Sequence, residues 1–420
     1  MAPPPSSTTS WVILSREVRA CGDGDGDRGG LVVPEGADLS LDLAVPPRVA
    51  ALAVSPRVSQ AEVDPCARRK SPCVLAIDPS AGLVLLLAPP PPAPADAGRL
   101  RSWTDADGKV HMFRVSTIPG PRYFVCDVAA RTASHVPDPE GLIFNNDLGV
   151  IAAPGGGGNY MVVEYQFIVG GGKATFLCFS SETGVWEKKD VDNPLPRWIW
   201  RFCDVVSHGG KLCWVDTAAG LLFCDPFADE TDMEYVPLPE GDLAPGHEGG
   251  CGYCSERALA TRRCVQLSDG KFRCVEMGCA SDGAAPKVSM RTLVDLETGV
   301  WTLEYAVSFA DIWASESYKA TKLPEKAPSL ALVHPKNPDV LYFFLEDQLF
   351  GVDLREKEVV EYEAHKMTLP ENARVFSHCV LPMELPPALS AGLFREGAAS
   401  GVNGVTSASP TSPPSDPNGA

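Results

Sequence analysis

The sequence predicts an all-β protein, a β-propeller-like ring of about six antiparallel blades that spans residues 11–382. The 39 prolines and 38 glycines are spread along the chain, which favours many short strands joined by turns over long helices. No stretch has a convincing helical period; the nearest, residues 354–366, contains the β-branched pair Val359 and Val360. A pattern of strand, turn and strand also recurs along the chain, as a ring of blades requires.

The clearest local pattern lies in residues 198–226, which contain three of the eight tryptophans. Three apolar runs in this stretch are separated by turns: 203–207, 212–215 and 221–224. Gly209 and Gly210 predict a tight hairpin between the first two runs, because glycine reaches positive φ without a Cβ clash. Asp225 and Pro226 end the third run, since proline cannot donate to a strand ladder. The stretch therefore predicts an antiparallel meander that must pack against further strands.

The recurring unit consists of an apolar strand, a turn opened by aspartate or serine, and a second apolar strand. Six residues mark these turns at intervals of about 45 to 70 residues, which is near the repeat length of propeller blades: Asp78, Asp127, Ser180, Asp225, Asp295 and Asp353. Two repeats share the sequence Glu-Thr-Gly-Val-Trp, at 182–186 and 297–301. We expect the aspartate to accept hydrogen bonds from turn amides and the tryptophan to bury its ring against a neighbouring unit. A pair of β-sandwiches is the alternative fold.

A propeller ring has to close, and the two ends of the domain provide strands for this. We expect the strand at 11–20, or a strand at 374–381, to complete a blade begun at the other terminus. Residues 1–10 and 383–420 are predicted to be disordered. The C-terminal segment is rich in Ala, Gly, Ser and Pro and has few large apolar groups to offset the entropy of ordering.

Several stretches resemble a plant family, expanded in grasses, called domain of unknown function 1618. The resemblance runs from Trp198 through Phe227 and includes Trp214-Val215-Asp216. It extends to the opening stretch at 11–14, to Lys287-Val288-Ser289-Met290 and to Gly299-Val300-Trp301, and so covers most of residues 10–382. These motifs are structural, and the resemblance implies a lineage and a fold without implying an activity.

The composition argues against several classes of protein. A net charge of −18 and an isoelectric point near 4.8 would repel a nucleic-acid backbone. The longest strongly apolar run, residues 83–88, is too short to span a bilayer, and residues 1–10 have no basic segment typical of a secretory signal. We therefore predict an intracellular protein, cytoplasmic or nuclear, with no membrane or nucleic-acid partner. Its fourteen cysteines are expected to be reduced thiols.

Four cysteines are the candidate metal ligands: Cys251, Cys254, Cys264 and Cys274. Cys251 and Cys254 form a Cys-x-x-Cys pair, which allows two thiolates to bind one zinc ion. Nine residues separate Cys264 from Cys274, and both lie in strand-like runs, where cysteine usually acts as a small apolar residue. The glycine-rich stretches 155–158 and 170–172 lack the remaining residues of a phosphate-binding loop and are interpreted as strand connectors.

No catalytic motif is present in the sequence, and no cofactor is predicted. The function that we infer is a non-catalytic platform that binds a partner protein. One alternative is an enzyme, hydrolase-like, whose site lies in the central channel of the propeller. A second alternative is a binding module stabilised by zinc at the cysteines near Cys251.

Overall fold

The structure is a computed structural model, and it describes residues 11–21, 31–60, 71–90, 100–104, 108–114, 121–139, 147–196, 200–229, 231–239, 261–278, 285–365, 379–387 and 389. The described chain is all-β apart from two short helices. The strands in chain order are β1 (Trp11–Ala20), β2 (Leu39–Asp42), β3 (Val49–Val54), β4 (Cys73–Asp78), β5 (Leu83–Ala88), β6 (Leu100–Thr104), β7 (Val110–Arg114), β8 (Arg122–Asp127), β9 (Thr132–Val136), β10 (Leu148–Ala152), β11 (Tyr160–Phe167), β12 (Lys173–Ser180), β13 (Val185–Asp192), β14 (Asp204–His208), β15 (Lys211–Asp216), β16 (Gly220–Cys224), β17 (Met233–Pro237), β18 (Arg263–Ser268), β19 (Lys271–Met277), β20 (Lys287–Asp295), β21 (Val300–Ser308), β22 (Ser329–Val333), β23 (Val340–Leu345), β24 (Gln348–Asp353), β25 (Glu358–Ala364) and β26 (Val380–Glu384). The helices are α1 (Phe309–Trp313) and α2 (Glu316–Thr321).

The strands are grouped into six four-stranded sheets. Sheet 1 has the order β26-β1-β3-β2, sheet 2 is β4-β5-β8-β9, and sheet 4 is β14-β15-β16-β17. Sheets 3, 5 and 6 are the meanders β10 to β13, β18 to β21 and β22 to β25. The hairpin β6–β7 is inserted between β5 and β8. Two single residue pairs, Glu17 with Cys73 and Val206 with Ile77, join sheets 1, 2 and 4 into one 12-stranded sheet.

Strands from the two ends of the domain meet in sheet 1. Strand β1 runs antiparallel to β26, and its register pairs Trp11 with Glu384 and Ser15 with Val380. The terminal strands therefore pair as predicted, but the C-terminal strand is Val380–Glu384 and not the predicted 374–381, of which residues 374–378 lie outside the described residues. Sheet 1 differs from the predicted antiparallel pattern in one respect, because β1 and β3 are parallel.

Apolar cores fill the spaces between successive sheets. Both faces of most strands are buried, since side chains alternate between the two faces and each face packs against a different sheet. Each of the six cores joins two sheets, and one residue from each sheet represents it here. The first three cores contain Leu14 and Phe124 (sheets 1 and 2), Leu85 and Val162 (sheets 2 and 3), and Phe176 and Trp214 (sheets 3 and 4). The other three contain Phe223 and Phe272 (sheets 4 and 5), Met290 and Phe343 (sheets 5 and 6), and Tyr342 and Trp11 (sheets 6 and 1). Packing therefore continues from each sheet to the next and from the last sheet to the first.

The aspartates of the repeated turns act as the sequence predicts. The Asp295 carboxylate accepts from the amide of Glu297 at 3.0 Å, and the Asp353 carboxylate accepts from the amide of Arg355 at 2.9 Å. One of the six markers was wrongly taken as a separate unit, because Asp78 and Asp127 both lie in sheet 2. Asp78 follows the first strand of that sheet, whereas the other markers follow third strands. The sixth four-stranded sheet is sheet 1, which none of the six markers identified.

The helices were not predicted from the sequence. Ser308 and Ser315 cap their N-termini by accepting hydrogen bonds from the amides of Ala310 and Tyr318, which explains why such short helices form. The segment 354–366, the nearest helical pattern in the sequence, contains strand β25. Its β-branched residues suit an extended conformation.

Candidate functional site

The predicted metal ligands do not form a site within the described residues. Cys251 and Cys254 lie outside them. Cys264 and Cys274 lie on β18 and β19, where Cys264 pairs with Val275 and Cys274 pairs with Val265. Because directly paired residues share a face, the two thiols point to opposite faces: Cys264 packs in the core with sheet 6, and Cys274 in the core with sheet 4. Burial also raises the pKa of both thiols, which favours the protonated form over the metal-binding thiolate.

The glycine-rich stretches lie in turns, and His208 lies beside another turn. Residues 155–158 connect β10 with β11, and residues 170–172 connect β11 with β12, so their interpretation as strand connectors is confirmed. His208 ends β14 and is exposed beside the Gly209–Gly210 turn, where both glycines have positive φ.

A cavity of about 60 Å³ lies where the first strands of four sheets converge with β26. Five sheets line it, through residues in or just after β4, β14, β18, β22 and β26. Its lining is mostly apolar, and it consists of Ile77, Pro79, Asp204, Val205, Val206, Ser207, Gln266, Leu267, Pro335, Leu381, Pro382 and Glu384. The volume suits a small aliphatic group or about two water molecules. We call this space the central cavity.

Gln266 gives the central cavity a polar group. Strand β18 places this side chain beside β22, where Oε1 accepts a hydrogen bond from the Val333 amide at 2.7 Å. That bond identifies the carbonyl end of the side chain and leaves the Nε2 amide as the other end. Gln266 is only 4% exposed, and Nε2 has no hydrogen-bond partner in the described structure. A buried donor without a partner is uncommon, so Nε2 is suited to a carbonyl or hydroxyl oxygen of a ligand.

A buried ion pair lies next to the central cavity. Arg16 of β1 is fully buried; its guanidinium donates to the carbonyls of Val74 and Leu75 at 3.2 and 3.0 Å. The guanidinium also lies 2.9 Å from Oδ2 of Asp204, whose Oδ1 accepts from the Val205 amide at 2.9 Å. Sheets 1, 2 and 4 are thus linked by one side chain. The other acidic residue of the lining, Glu384, lies 3.2 Å from Nζ of Lys336.

The chemistry of the central cavity favours binding. Both of its carboxylates lie in ion pairs. The remaining described lining is aliphatic apart from Ser207 and Gln266. Such a surface suits an apolar group and one hydrogen-bond acceptor.

The residues of this site were not singled out from the sequence. Arg16, within the apolar strand Trp11–Ala20, was a usable signal of a polar site, because a buried arginine requires partners. Gln266 in the run Arg263–Ser268 was a weaker signal of the same kind. Their partners come from strands that are distant in sequence and meet only in the folded chain.

The fold and the central cavity define an all-β protein built from packed four-stranded sheets. Within it, residues 214–342, from β15 to β23, match the model of the family described as "Protein of unknown function (DUF1618)", the family that the sequence resembles. No curated protein matches the chain. In the described part of the chain, neither helix is long and apolar enough to cross a membrane.

Three solved structures illustrate the structural likeness. The β-propeller domain of Cps50 (Swd1) from Myceliophteria thermophila is 9% identical; the match covers 64% of this chain and 88% of that one, with a TM-score of 0.27. The structure of YjhT is 11% identical, with coverages of 74% and 82% and a TM-score of 0.28. The dihydro-heme d1 dehydrogenase NirN, in complex with DHE, is 10% identical, with coverages of 89% and 78% and a TM-score of 0.32. All three likenesses are distant.

Proposed function

We propose that the six sheets are the blades of one closed, propeller-like ring and that the protein is a non-catalytic platform for a partner protein. The pairing of β1 with β26 and the core between sheets 6 and 1 support the closed ring. The domain bounds 11–382 and the intracellular location stay predictions from the sequence; the described strand β26 continues two residues beyond that bound, to Glu384.

The central cavity is the proposed docking point, and the unpartnered Nε2 of Gln266 is the observation that carries this proposal. Five sheets hold the lining in place, so the cavity is formed before a partner arrives. Preformed pockets of this kind lower the ordering cost of binding. A small number of buried contacts commonly supplies most of the affinity of a protein interface.

The lining defines the group that binds. Ile77, Val206 and Leu267 favour an aliphatic side chain, and Gln266 favours an adjacent backbone carbonyl. The occupant is therefore a loop of a partner protein that presents a small aliphatic side chain beside an exposed carbonyl oxygen. A net charge of −18 further favours a basic surface around that loop, through long-range attraction.

The proposal is tested by panning a displayed peptide library on the wild-type protein and measuring peptide affinity by fluorescence polarisation. In Gln266→Glu the side chain keeps an oxygen for the Val333 amide but loses the Nε2 donor. We expect peptide binding to weaken by about tenfold, since a lost buried hydrogen bond costs on the order of 1–3 kcal/mol. Ser207→Val, which fills part of the cavity, is expected to weaken the same peptides.

Gln348→Glu is the matched control, because Gln348 begins β24 and lies outside the lining. It introduces the same charge and is expected to leave the affinity unchanged. Circular dichroism of each variant checks folding. Peptides that bind Gln266→Glu and Ser207→Val as tightly as the wild type would overturn the proposal.

A further inference from the structure

A second cavity, of about 320 Å³, opens between sheets 2 and 3. We call it the inter-sheet cleft. It is separate from the central cavity, with which it shares no lining residue. Its volume lies at the lower end of the range of small-molecule sites.

The sheet 2 wall is formed by the hairpin β8–β9 and by the start of β5. Asp127 pairs with Thr132, and Val125 pairs with Ser134, so these four side chains share one face. Leu83 pairs with Asp127 and extends the same face. This wall therefore presents a carboxylate and two hydroxyls above an apolar floor.

The opposite wall is formed by the ends of β10 and β11 and by the turn between them. Tyr160, Asn159, Ala152 and Ala153 line it, together with glycines of the turn. The Tyr160 hydroxyl is hydrogen-bonded to Ser134 across the cleft. Sheet 3 thus contributes an aromatic ring and a carboxamide.

Hydrogen bonds fix the second wall. The Asp78 carboxylate of sheet 2 accepts from the Ala152 amide at 2.8 Å, and the Ala153 amide donates to the Asn159 carbonyl at 2.8 Å. Residues 155–158 are four successive glycines with φ between 78° and 90°, a conformation that other residues rarely adopt. These four glycines add no side chain to the cleft.

The charge of the lining narrows the class of ligand. The described lining contains no lysine, arginine or histidine, which disfavours phosphates and other anions. Asp127 uses Oδ1 for the Ala130 amide at 2.8 Å, and a carboxylate has further lone pairs for ligand hydroxyls. Hydroxyl and carboxamide groups both donate and accept, as a hydroxyl-rich ligand requires.

We propose that the inter-sheet cleft binds a neutral saccharide of one or two sugar units. Asp127, Asn159 and Thr132 bond to its hydroxyls, and Tyr160 and Val125 pack against its C–H face. The inference is independent of the proposed partner protein, since the two cavities involve different residues.

The test is a glycan array of neutral mono- and disaccharides, sugar phosphates and uronic acids, followed by titration calorimetry of the ligands that bind. We expect neutral sugars to bind and their anionic counterparts to bind at least tenfold more weakly, because Asp127 repels them. Ala153→Leu fills the cleft and should abolish binding. Thr132→Val removes one hydroxyl with little change of shape and should weaken binding at least threefold.

Thr175→Val is the control, because Thr175 is on β12, outside the lining, and its hydroxyl bonds to Asp190. This variant and Gln266→Glu should both bind the sugar as the wild type does. Absence of neutral-sugar binding by the folded protein, tighter binding of sugar phosphates, or unchanged binding by Ala153→Leu would each overturn the inference.

Discussion

At the scale of single residues, the two shared Glu-Thr-Gly-Val-Trp sequences have one structural role. The Trp186 indole donates to the carbonyl of Pro137 at 2.6 Å, and the Trp301 indole donates to the carbonyl of Pro237 at 3.0 Å. Each proline lies at the end of the outer strand of the preceding sheet. A tryptophan at the start of a fourth strand thus attaches one sheet to the sheet before it, as the sequence predicted.

Removing either indole donor should lower stability. Trp186→Phe and Trp301→Phe each lose one hydrogen bond and part of a ring, so we expect each to cost on the order of 1 kcal/mol. The two sites lie in different sheets and share no partner, so the costs should add. Denaturant unfolding of the two single variants and the double variant measures this. Wild-type stability in both single variants would contradict the assigned role.

His334 replaces the aspartate of other turns. Its Nδ1 accepts from the amides of Lys336 and Asn337 at 3.1 and 3.0 Å, and its ring lies 4.5 Å from the Trp11 ring. Burial lowers the pKa of His334 to about 4 from its usual 6.5. A folded-state pKa below the unfolded value adds stability above pH 6.5, and this stability is lost as the pH falls through about 4.

His334→Asn should reduce this loss on acidification. The asparagine oxygen can accept from the same two amides, and asparagine does not titrate. Between pH 7 and pH 4.5, we expect the melting temperature of the wild type to fall further than that of the variant. Calorimetry of both proteins at the two pH values is the measurement, and equal falls would contradict the role of His334.

At the scale of elements, the meander at 198–226 shows how much the sequence could predict. The three predicted strands are β14, β15 and β16, and Gly209 and Gly210 both have positive φ in the first turn. Apolar runs and turn glycines are local signals, so they could be read from the chain. Asp78 was misplaced for a different reason. A turn aspartate can follow the first strand of a sheet as well as the third, and only the pairing of the strands distinguishes these two positions.

Gly220 tests the packing of this meander. A Cβ at Gly220 would lie 2.7 Å from the Val236 carbonyl oxygen and 2.4 Å from the Tyr235 ring. Backbone on the paired strand β17 cannot move aside without breaking the ladder, so Gly220→Ala should destabilise the protein by about 1–3 kcal/mol. Gly172→Ala is the control, because a Cβ there meets nothing within 4 Å. Equal stability of the two variants in denaturant unfolding would contradict the packing described.

At the scale of the whole molecule, the structure depends on contacts that no local pattern contains. The sequence suggested that terminal strands pair, and β1 with β26 confirms this. It did not indicate the central cavity, because Gln266, Asp204 and Ile77 come together only when sheets 2, 4 and 5 pack. The contacts of Arg16 were also not indicated by the sequence, because its hydrogen-bond partners lie 58 or more residues away along the chain.

The most direct test of ring closure is the thermal unfolding of three chains: full length, a deletion of residues 1–10, and a deletion of residues 1–20. The shorter deletion stops before β1 and should melt as the full chain does. The longer one removes β1, and with it the partner of β26, the ring of Trp11 and the Arg16 ion pair. We expect it to lose cooperative melting. A cooperative transition at the full-length temperature would show that the terminal strands do not close the structure.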